Sequence, residues 1–454
     1  MPWIDISITA MVLVTLVIGV LTRRGSPKPV ICAGALTVVA LLVAVAMEGA
    51  RPQVIASGAL VALCAVLVLW ARSARAFRLA VASAAALSLL CVGVAGASWA
   101  LPPMYVAAGT GAYRVAVDSE VWVDASRDAR GGDTLGEKRS LPVSIWYPTD
   151  ASGEPALYLP QRDHAAELSD ALADQYGLPA IVFDSLERAK GQALWRGHPA
   201  AGHFPVVIAS PGLGSTRWFF TSWAQEIASH GVIVIALDHP YDAAATELAD
   251  GTVAFSELQA TGDDARDQAI ADEGARIRAA DIRAVIDRME TGPDEASVLR
   301  SADLGHIIVA GHSMGGAAAI EAARLDSRIT GVIDIDGMPR SPEGTVLHVP
   351  LVVVVAGDAG ANPRYDAAVD ALLAGSDAAR VTLDGITHFS LIDVALMIAP
   401  VPGITGARGP DGPSLVAETT LVLIDAATTG RGLDADALAR IGRTDAAQGP
   451  SVEK

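Results

Sequence analysis

Beyond Leu101 the chain has no cysteine; the three it possesses, Cys32, Cys64 and Cys91, all lie in apolar runs of the N-terminal part. That absence excludes disulfides, thiolate metal sites and a cysteine nucleophile from everything that follows. Positive charge is scarce there too. Up to Leu101 seven bases stand against two acids, Asp5 and Glu48, a net +5, whereas the whole chain carries −18, so the part after Leu101 carries −23. A globular region that acidic repels nucleic acid and anionic headgroups, which excludes both as electrostatically recruited partners. No internal repeat is present. No Asp, Glu, Lys, Arg or His stands in the middle of an apolar run, where a transport pathway would need one.

What the N-terminal part has is apolar length. Ile6 to Leu21, Ile31 to Met47, Val54 to Trp70 and Leu79 to Leu101 follow one another, each near the ~17–25 residues that span a bilayer. Four transmembrane helices are predicted. The first lacks a basic segment ahead of it, unlike a signal peptide, and its charges, Arg23, Arg24 and Lys28, come after it. The loop between helices three and four holds Arg72, Arg75 and Arg78, while Glu48 to Arg51 is nearly neutral. The positive-inside rule puts both basic loops in the cytoplasm and the chain after Leu101 outside it. The expectation is a multi-pass cell-membrane protein whose helices tether an extracytoplasmic domain over 102–430, with a flexible tail over 431–454.

In that domain Tyr113 to Val117 and Val121 to Asp124 alternate like strands, and Leu141 to Pro148 is a third short strand closed by proline. Asp128 to Lys138 reads as a loop, and about 159–203, with mixed patterns and no buried run, as a cap or loop insertion. From Pro205 the pattern changes. Pro205 to Ala209, Gly231 to Leu237, His306 to Ala310, Gly331 to Ile335 and Leu351 to Ala356 are nearly continuous apolar runs, with Arg380 to Leu383 a weaker sixth. Helical segments such as Ala275 to Met289 and Gly316 to Arg324 separate them. Strands buried on both faces and alternating with helices make a mostly parallel α/β sheet wrapped by helices. Ala399 to Pro413 reads as a linker.

Gly311-His312-Ser313-Met314-Gly315 falls directly after one of those strands and directly before a helix. On such a turn the serine stands exposed and the glycines let the backbone make the bend, the nucleophile elbow of the α/β-hydrolase fold. The helix N-terminus supplies the Met314 N–H as one oxyanion donor, and Ser210-Pro-Gly-Leu-Gly214, following an earlier strand, supplies a second, assigned to Leu213. The triad order in this fold requires a histidine downstream of Ser313, and only His348 and His388 qualify. His348 precedes a strand, at the wrong end of the sheet, so the base is assigned to His388, in a loop after the last strand. His312 and His239 read as structural or pocket-lining. For the acid, Asp334 lies within a strand and reads as structural. Asp336 and Asp358 both end strands, and the pattern does not separate them.

At this point the chain resembles the platelet-activating factor acetylhydrolase family of serine esterases, in its plasma-type and bacterial branches, over roughly Leu141 to Asp393. The likeness rests on Leu141 to Pro148, on Pro205 to Gly214 with Arg217, on Ala228 to His239, on Gly-His-Ser-Met-Gly-Gly316 and on Thr387-His388-Phe-Ser390. The resemblance implies an α/β-hydrolase ester hydrolase that needs no cofactor or metal, with Asp336 as the acid and Leu213 and Met314 as oxyanion positions. It also implies short-acyl or oxidised phospholipid esters as substrates. Pro211 departs from it, since the family usually has histidine there, and the apolar helices are not part of the family pattern. A general carboxylesterase, lipase or polyester hydrolase on the same scaffold is the alternative within the enzyme class. A non-catalytic membrane receptor or scaffold is the alternative outside it. The sequence leaves the oligomeric state open.

Overall fold

The computed structural model describes residues 3–73, 77–130, 137–160, 162–257, 261–291, 297–340, 345–360, 362–374 and 376–447. Arg75, residues 131–136 of the expected loop and the last residues of the expected tail lie outside them. The chain divides into two compact units, 1–104 with 397–399, and 105–396 with 400–454.

The first unit holds four helices: α1 (Trp3–Leu21), α2 (Lys28–Glu48), α3 (Pro52–Ser73) and α4 (Phe77–Ala100). Each is long and apolar enough to cross a membrane. Within the unit α1 packs against the other three, and Ile8, Val12, Leu16, Leu60, Cys64 and Cys91 fill the seam. Asp5 and Arg51 are buried and pair at 3.2 Å, and Arg51 Nη2 also donates to Leu101 O at 3.2 Å. These charges gather at one end of the helices and leave the apolar middles unbroken, as burial in hydrocarbon demands.

The second unit is built on an eleven-stranded sheet. Its strands are β1 (Arg114–Asp128), β2 (Lys138–Thr149), β3 (Pro155–Leu157), β4 (Lys190–Trp195), β5 (Phe204–Ser210) and β6 (Ile233–Leu237). Beyond a separate hairpin, β7 (Ala245–Glu247) with β8 (Val253–Phe255), come β9 (Ala302–His312), β10 (Ile329–Ile335), β11 (Leu351–Ala356), β12 (Ala378–Leu383) and β13 (Arg443–Ala447). The order is β13-β12-β11-β10-β9-β5-β6-β2-β1-β4-β3, parallel from β12 through β6.

The helices are α5 (Arg162–Tyr176), α6 (Thr221–Ser229), α7 (Asp264–Glu290), α8 (Met314–Leu325), α9 (Pro363–Leu373), α10 (Val394–Met397), α11 (Gly412–Thr429) and α12 (Ala435–Ile441). Helices α7 and α8 pack on one face and α6 and α11 on the other. That is why β5, β6, β9, β10 and β11 read as continuous apolar runs: side chains alternate between faces, and neither face meets water. Val206, Ile235, Val309, Val332 and Val353 join Ile282, Val285 and Ile286 of α7 in one core.

After β6 the chain crosses to the opposite side of β5 and enters the sheet as β9, so the strand order reverses between β5 and β9. At such a reversal the loops leaving the two strands part and open a crevice at their C-terminal ends. The two loops are 210–214 and 311–315, and Ser210 is in register with Gly311.

Three expectations change. The two strand segments near residue 120 are one strand, β1, because its backbone pairs with β2 without a break from Arg114 to Asp124; Ser119 Oγ within it donates to Val143 O (3.1 Å). The 159–203 insertion is not all cap: its last part, β4, pairs parallel with β1 and antiparallel with β3. The 431–454 segment is not a flexible tail through 447. Asp434 caps α12 by accepting from Ala437 N (2.9 Å), Leu438 is buried, and β13 pairs antiparallel with β12.

The segment after β12, residues 387–393, is fastened at both ends. Thr387 Oγ1 donates to Ile404 O (2.7 Å) and Ser390 Oγ to Thr405 O (2.5 Å). Asp393 N donates to Phe219 O (2.9 Å), and its carboxyl accepts from Ser222 N (3.0 Å), Ser222 Oγ and Tyr158 Oη (2.9 Å). Burial pushes the Asp393 carboxyl up to about 7, against the opposing pull of those donors. Because the folded chain prefers the protonated form, the stabilisation is complete below about pH 4 and is lost as the pH rises through about 7. Thermal unfolding of detergent-solubilised protein is therefore expected to show wild type losing roughly 1 kcal/mol per pH unit relative to Asp393→Asn across that window. Parallel pH profiles for the two proteins would show that Asp393 does not titrate there.

Candidate active site

Ser313 sits between β9 and α8 with φ 57° and ψ −120°, a left-handed conformation that costs a residue with a Cβ on the order of 1–3 kcal/mol. Its surroundings enforce it. A Cβ on Gly311 would lie 2.0 Å from Gly315 O, and one on Gly315 would lie 1.9 Å from Ser210 O, so neither position accepts a larger residue without movement of the backbone. Ser313 N donates to Ile335 O (2.9 Å), tying the turn to the end of β10. The Ser313 hydroxyl makes no hydrogen bond among the described residues, and the side chain is half-buried.

His388 opens a 3₁₀ turn after β12, and its Nδ1 lies 2.6 Å from Asp336 Oδ2. Asp336 directly follows β10 and is the second left-handed residue of the site, at φ 57°. Its N–H donates to Val354 O (2.7 Å), and its Oδ1 accepts from Ala356 N (3.1 Å) and, weakly, from Tyr365 Oη (3.4 Å). Burial acts to raise the Asp336 carboxyl, but the bond from His388 and that side chain's charge outweigh it and hold the group below the usual carboxylate range. Asp358 is occupied elsewhere: its Oδ1 accepts from Gly385 N (3.0 Å) and its N–H donates to Ile386 O (3.0 Å), closing the loop that leads to His388. Of the two acids the pattern left open, the structure brings Asp336 to His388. His348 stands exposed just before β11, away from these groups.

Asp334 is fully buried within β10. Its Oδ1 accepts from Gly337 N (2.8 Å) while Oδ2 has no partner among the described residues, and burial together with nearby Asp336 raises its pKa well above the carboxylate range. The Asp334 carboxyl thus underlies the first turn of α8, against Gly316. His312 links the turn to the histidine loop. Its Nε2 lies 3.0 Å from His388 O, so that nitrogen carries the proton, and its ring centroid lies 4.4 Å from that of His388. Burial, then repulsion from His388, pushes the His312 ring down to about 3, so it stays neutral. Asp334 and His312 thus hold the supporting places that their pattern suggests, whereas Tyr365 and Asp393 carry no sequence signal, since each acts through a distant contact.

The Met314 N–H is the first of α8 and has no intrahelical acceptor. Leu213 is 43% exposed, and its N–H has no partner among the described residues. The two loops that carry these amides touch: a Cβ on Gly212 would lie 3.4 Å from Ser313 Cβ. The arrangement is a strained serine at a helix N-terminus, a histidine loop oriented by a carboxylate, and two unpaired amides on adjoining loops. It is suited to attack on a carbonyl whose oxygen gains negative charge.

A family model described as "Platelet-activating factor acetylhydrolase, isoform II" matches residues 103–273, which include Leu213 and end before Ser313. A platelet-activating factor acetylhydrolase of Bos taurus is 24% identical over 219 residues, 43% of this chain and 49% of that protein. A probable 1-alkyl-2-acetylglycerophosphocholine esterase of Arthroderma benhamiae is 29% identical over 135 residues, 29% of this chain and 31% of that protein. The chain thus spans about half the length, or less, of the curated relatives it matches. Among solved structures, a ferulic acid esterase from Streptomyces cinnamoneus superposes with a TM-score of 0.62 at 26% identity, covering 76% of this chain and all of that one. With the sheet order and the strand-to-helix turn at Ser313, these matches make the chain similar to the platelet-activating factor acetylhydrolase family over part of its length, on an α/β-hydrolase fold.

Proposed function

We propose that the chain is a membrane-anchored serine esterase. Ser313 attacks the ester carbonyl and His388 takes its proton. Asp336 holds Nδ1 of the ring, leaving Nε2 as the nitrogen that accepts it. The oxyanion lies between the N–H groups of Leu213 and Met314, the protonated His388 releases the alcohol, and water then hydrolyses the acyl-enzyme by the same route. The observation that carries the reading is the 2.6 Å contact of Asp336 with His388, made beside a serine held in a left-handed turn.

For substrate, the relatives' names and the exposed apolar side chains Leu213 and Phe389, one on each of the loops at the serine, favour short-acyl or oxidised phospholipids of the platelet-activating factor type. A general carboxylesterase acting on aromatic or polymeric esters is the second reading. It is supported by the ferulic acid esterase superposition and by the Phe389 ring, 5.4 Å from His388 and 5.9 Å from Tyr176. The apolar helices anchor the enzyme in the cell membrane, and the basic loops between them favour an extracytoplasmic catalytic domain.

Ser313→Ala is expected to lower turnover of p-nitrophenyl acetate by about 10⁴-fold or more and to abolish fluorophosphonate labelling; a variant that keeps turnover would refute the mechanism. Asp336→Asn is expected to lower kcat by up to about 10⁴-fold, while Asp358→Asn stays within about 3-fold of wild type; the reverse ranking would exchange the two acids. Turnover of acetylated and oxidised phospholipids measured against feruloyl and polyester substrates separates the two substrate readings. A membrane-impermeant fluorophosphonate is expected to label intact cells, and labelling that requires lysis would put the domain on the other side.

A further inference from the structure

The loop that bears Leu213 is held from behind by one buried side chain. Arg278, on α7, is 1% exposed; its Nη1 donates to Pro211 O and its Nη2 to Gly212 O at 3.2 Å. The same guanidinium is held by Asp242, with Nε to Oδ2 at 2.6 Å and Nη2 to Oδ1 at 2.5 Å. Asp242 also accepts from Gly214 N through its backbone carbonyl at 3.2 Å, so the fork and the far end of the loop share one partner. In a planar trans peptide the C=O and the N–H point in opposite directions. Fastening the carbonyls of Pro211 and Gly212 toward α7 therefore turns the N–H groups of Gly212 and Leu213 the other way, away from α7. Gly212 is in reach of Ser313 Cβ, and the Leu213 N–H is without a partner among the described residues.

One turn further along α7, Asp281 fixes the strand that leads into the loop. Ser210 Oγ lies 2.8 Å from His239 Nε2, and His239 Nδ1 lies 2.7 Å from Asp281 Oδ2. The trio has the composition of a hydrolase triad, but Ser210, His239 and Asp281 are 0–1% exposed, and no ester reaches them. Asp281 is itself neutralised by Arg139 (2.6 and 2.7 Å) and Arg127 (2.7 Å). The serine is an anchor for the end of β5, just as Arg278 is an anchor for the two peptides that follow.

We infer that Arg278 is the positioning residue of the oxyanion hole: a buried guanidinium fork that sets which way the Leu213 amide points, in the loop where Pro211 replaces the family's usual histidine. The inference rests on the esterase reading above. A fork with parallel donors reaches two successive carbonyls while keeping two donors for Asp242; the single ammonium of lysine does not. Holding the donor in place before the reaction spares its reorganisation when the oxyanion forms, and this is where such donors exert their effect.

The test uses the full chain in detergent, with active sites titrated by fluorophosphonate so that rates refer to folded enzyme. Arg278→Met is expected to lower kcat on p-nitrophenyl acetate by about 10²-fold with KM within about 3-fold. It is also expected to weaken inhibition by a trifluoromethyl ketone, whose adduct places an oxyanion in the hole, by the same factor as kcat/KM. Arg278→Lys should fall between it and wild type, and methylguanidinium should restore part of the activity of Arg278→Ala. Should Arg278→Met fail to fold, Asp242→Asn, which loosens the fork without removing it, is expected to show a smaller loss with the same match between inhibitor and kcat/KM. Wild-type kcat in a folded Arg278→Met, or a lost kcat with unchanged ketone affinity, would overturn the assignment and leave the esterase reading intact. A wild type that neither turns over ester nor labels at Ser313 removes the esterase reading, and Arg278's role with it.

Discussion

Between the end of β5 and the first turn of α8 there is room for backbone and nothing more. The carbonyl of Ser210 comes so near Gly315 that a methyl group there would sit 1.9 Å from it, and Gly311 meets the same limit against Gly315 O. This close approach follows from the parallel pairing of β5 with β9, which sets Ser210 in register with Gly311, and it holds the serine that follows in its left-handed turn. Everything else at the site takes its place from that contact. The helix amide of Met314 is aimed by the turn, the loop of Leu213 adjoins it, and the histidine loop is reached through His312.

The second unit buries several charged side chains near the end of β5 and in α7, and it pairs them. Arg127 and Arg139 meet Asp281, Arg278 meets Asp242, and Arg217 meets Asp238, each in nearly complete burial. A buried pair of this kind adds little net stability compared with apolar packing, but it penalises heavily any structure in which one member is left alone. The pairs therefore act on geometry: each fixes a loop relative to a helix or strand that the apolar core alone would leave free to slide.

Much of the fold was legible because its signals are local. Continuous apolar runs between helices declare a parallel sheet, and Ser313 and His388 sit in short patterns tied to particular strand ends. Asp336 and Asp358 were inseparable by pattern, as each is an aspartate at the end of a strand. What distinguishes them is which one meets the histidine, a contact 52 residues apart in the chain for Asp336. The strands β4 and β13 escaped notice for a different reason. They lie toward the sheet edges and carry polar side chains, so hydrophobic patterning has little to register; Lys190, Gln192, Arg443 and Asp445 occupy them. The clamp on α7 was invisible as well, because an arginine on an amphipathic helix reads as a solvated face until its partners are known.

The backbone hydrogen bonds of Ser313, Asp336 and Asp358 form a staircase: Ser313 N–H bonds to Ile335 O, Asp336 N–H to Val354 O, and Asp358 N–H to Ile386 O. Each residue just past one strand is hooked to the end of the next strand or to the turn beyond it, so the spacing of serine, acid and histidine loop is set by strand register. Since side chains alternate with a period of two, a single inserted residue in β10 would turn Asp336 away from His388 and put a neighbour's side chain in its place. Length variation in this chain can thus be absorbed in the crossovers, but not in the last residues of the central strands, which work as a ruler for the chemistry.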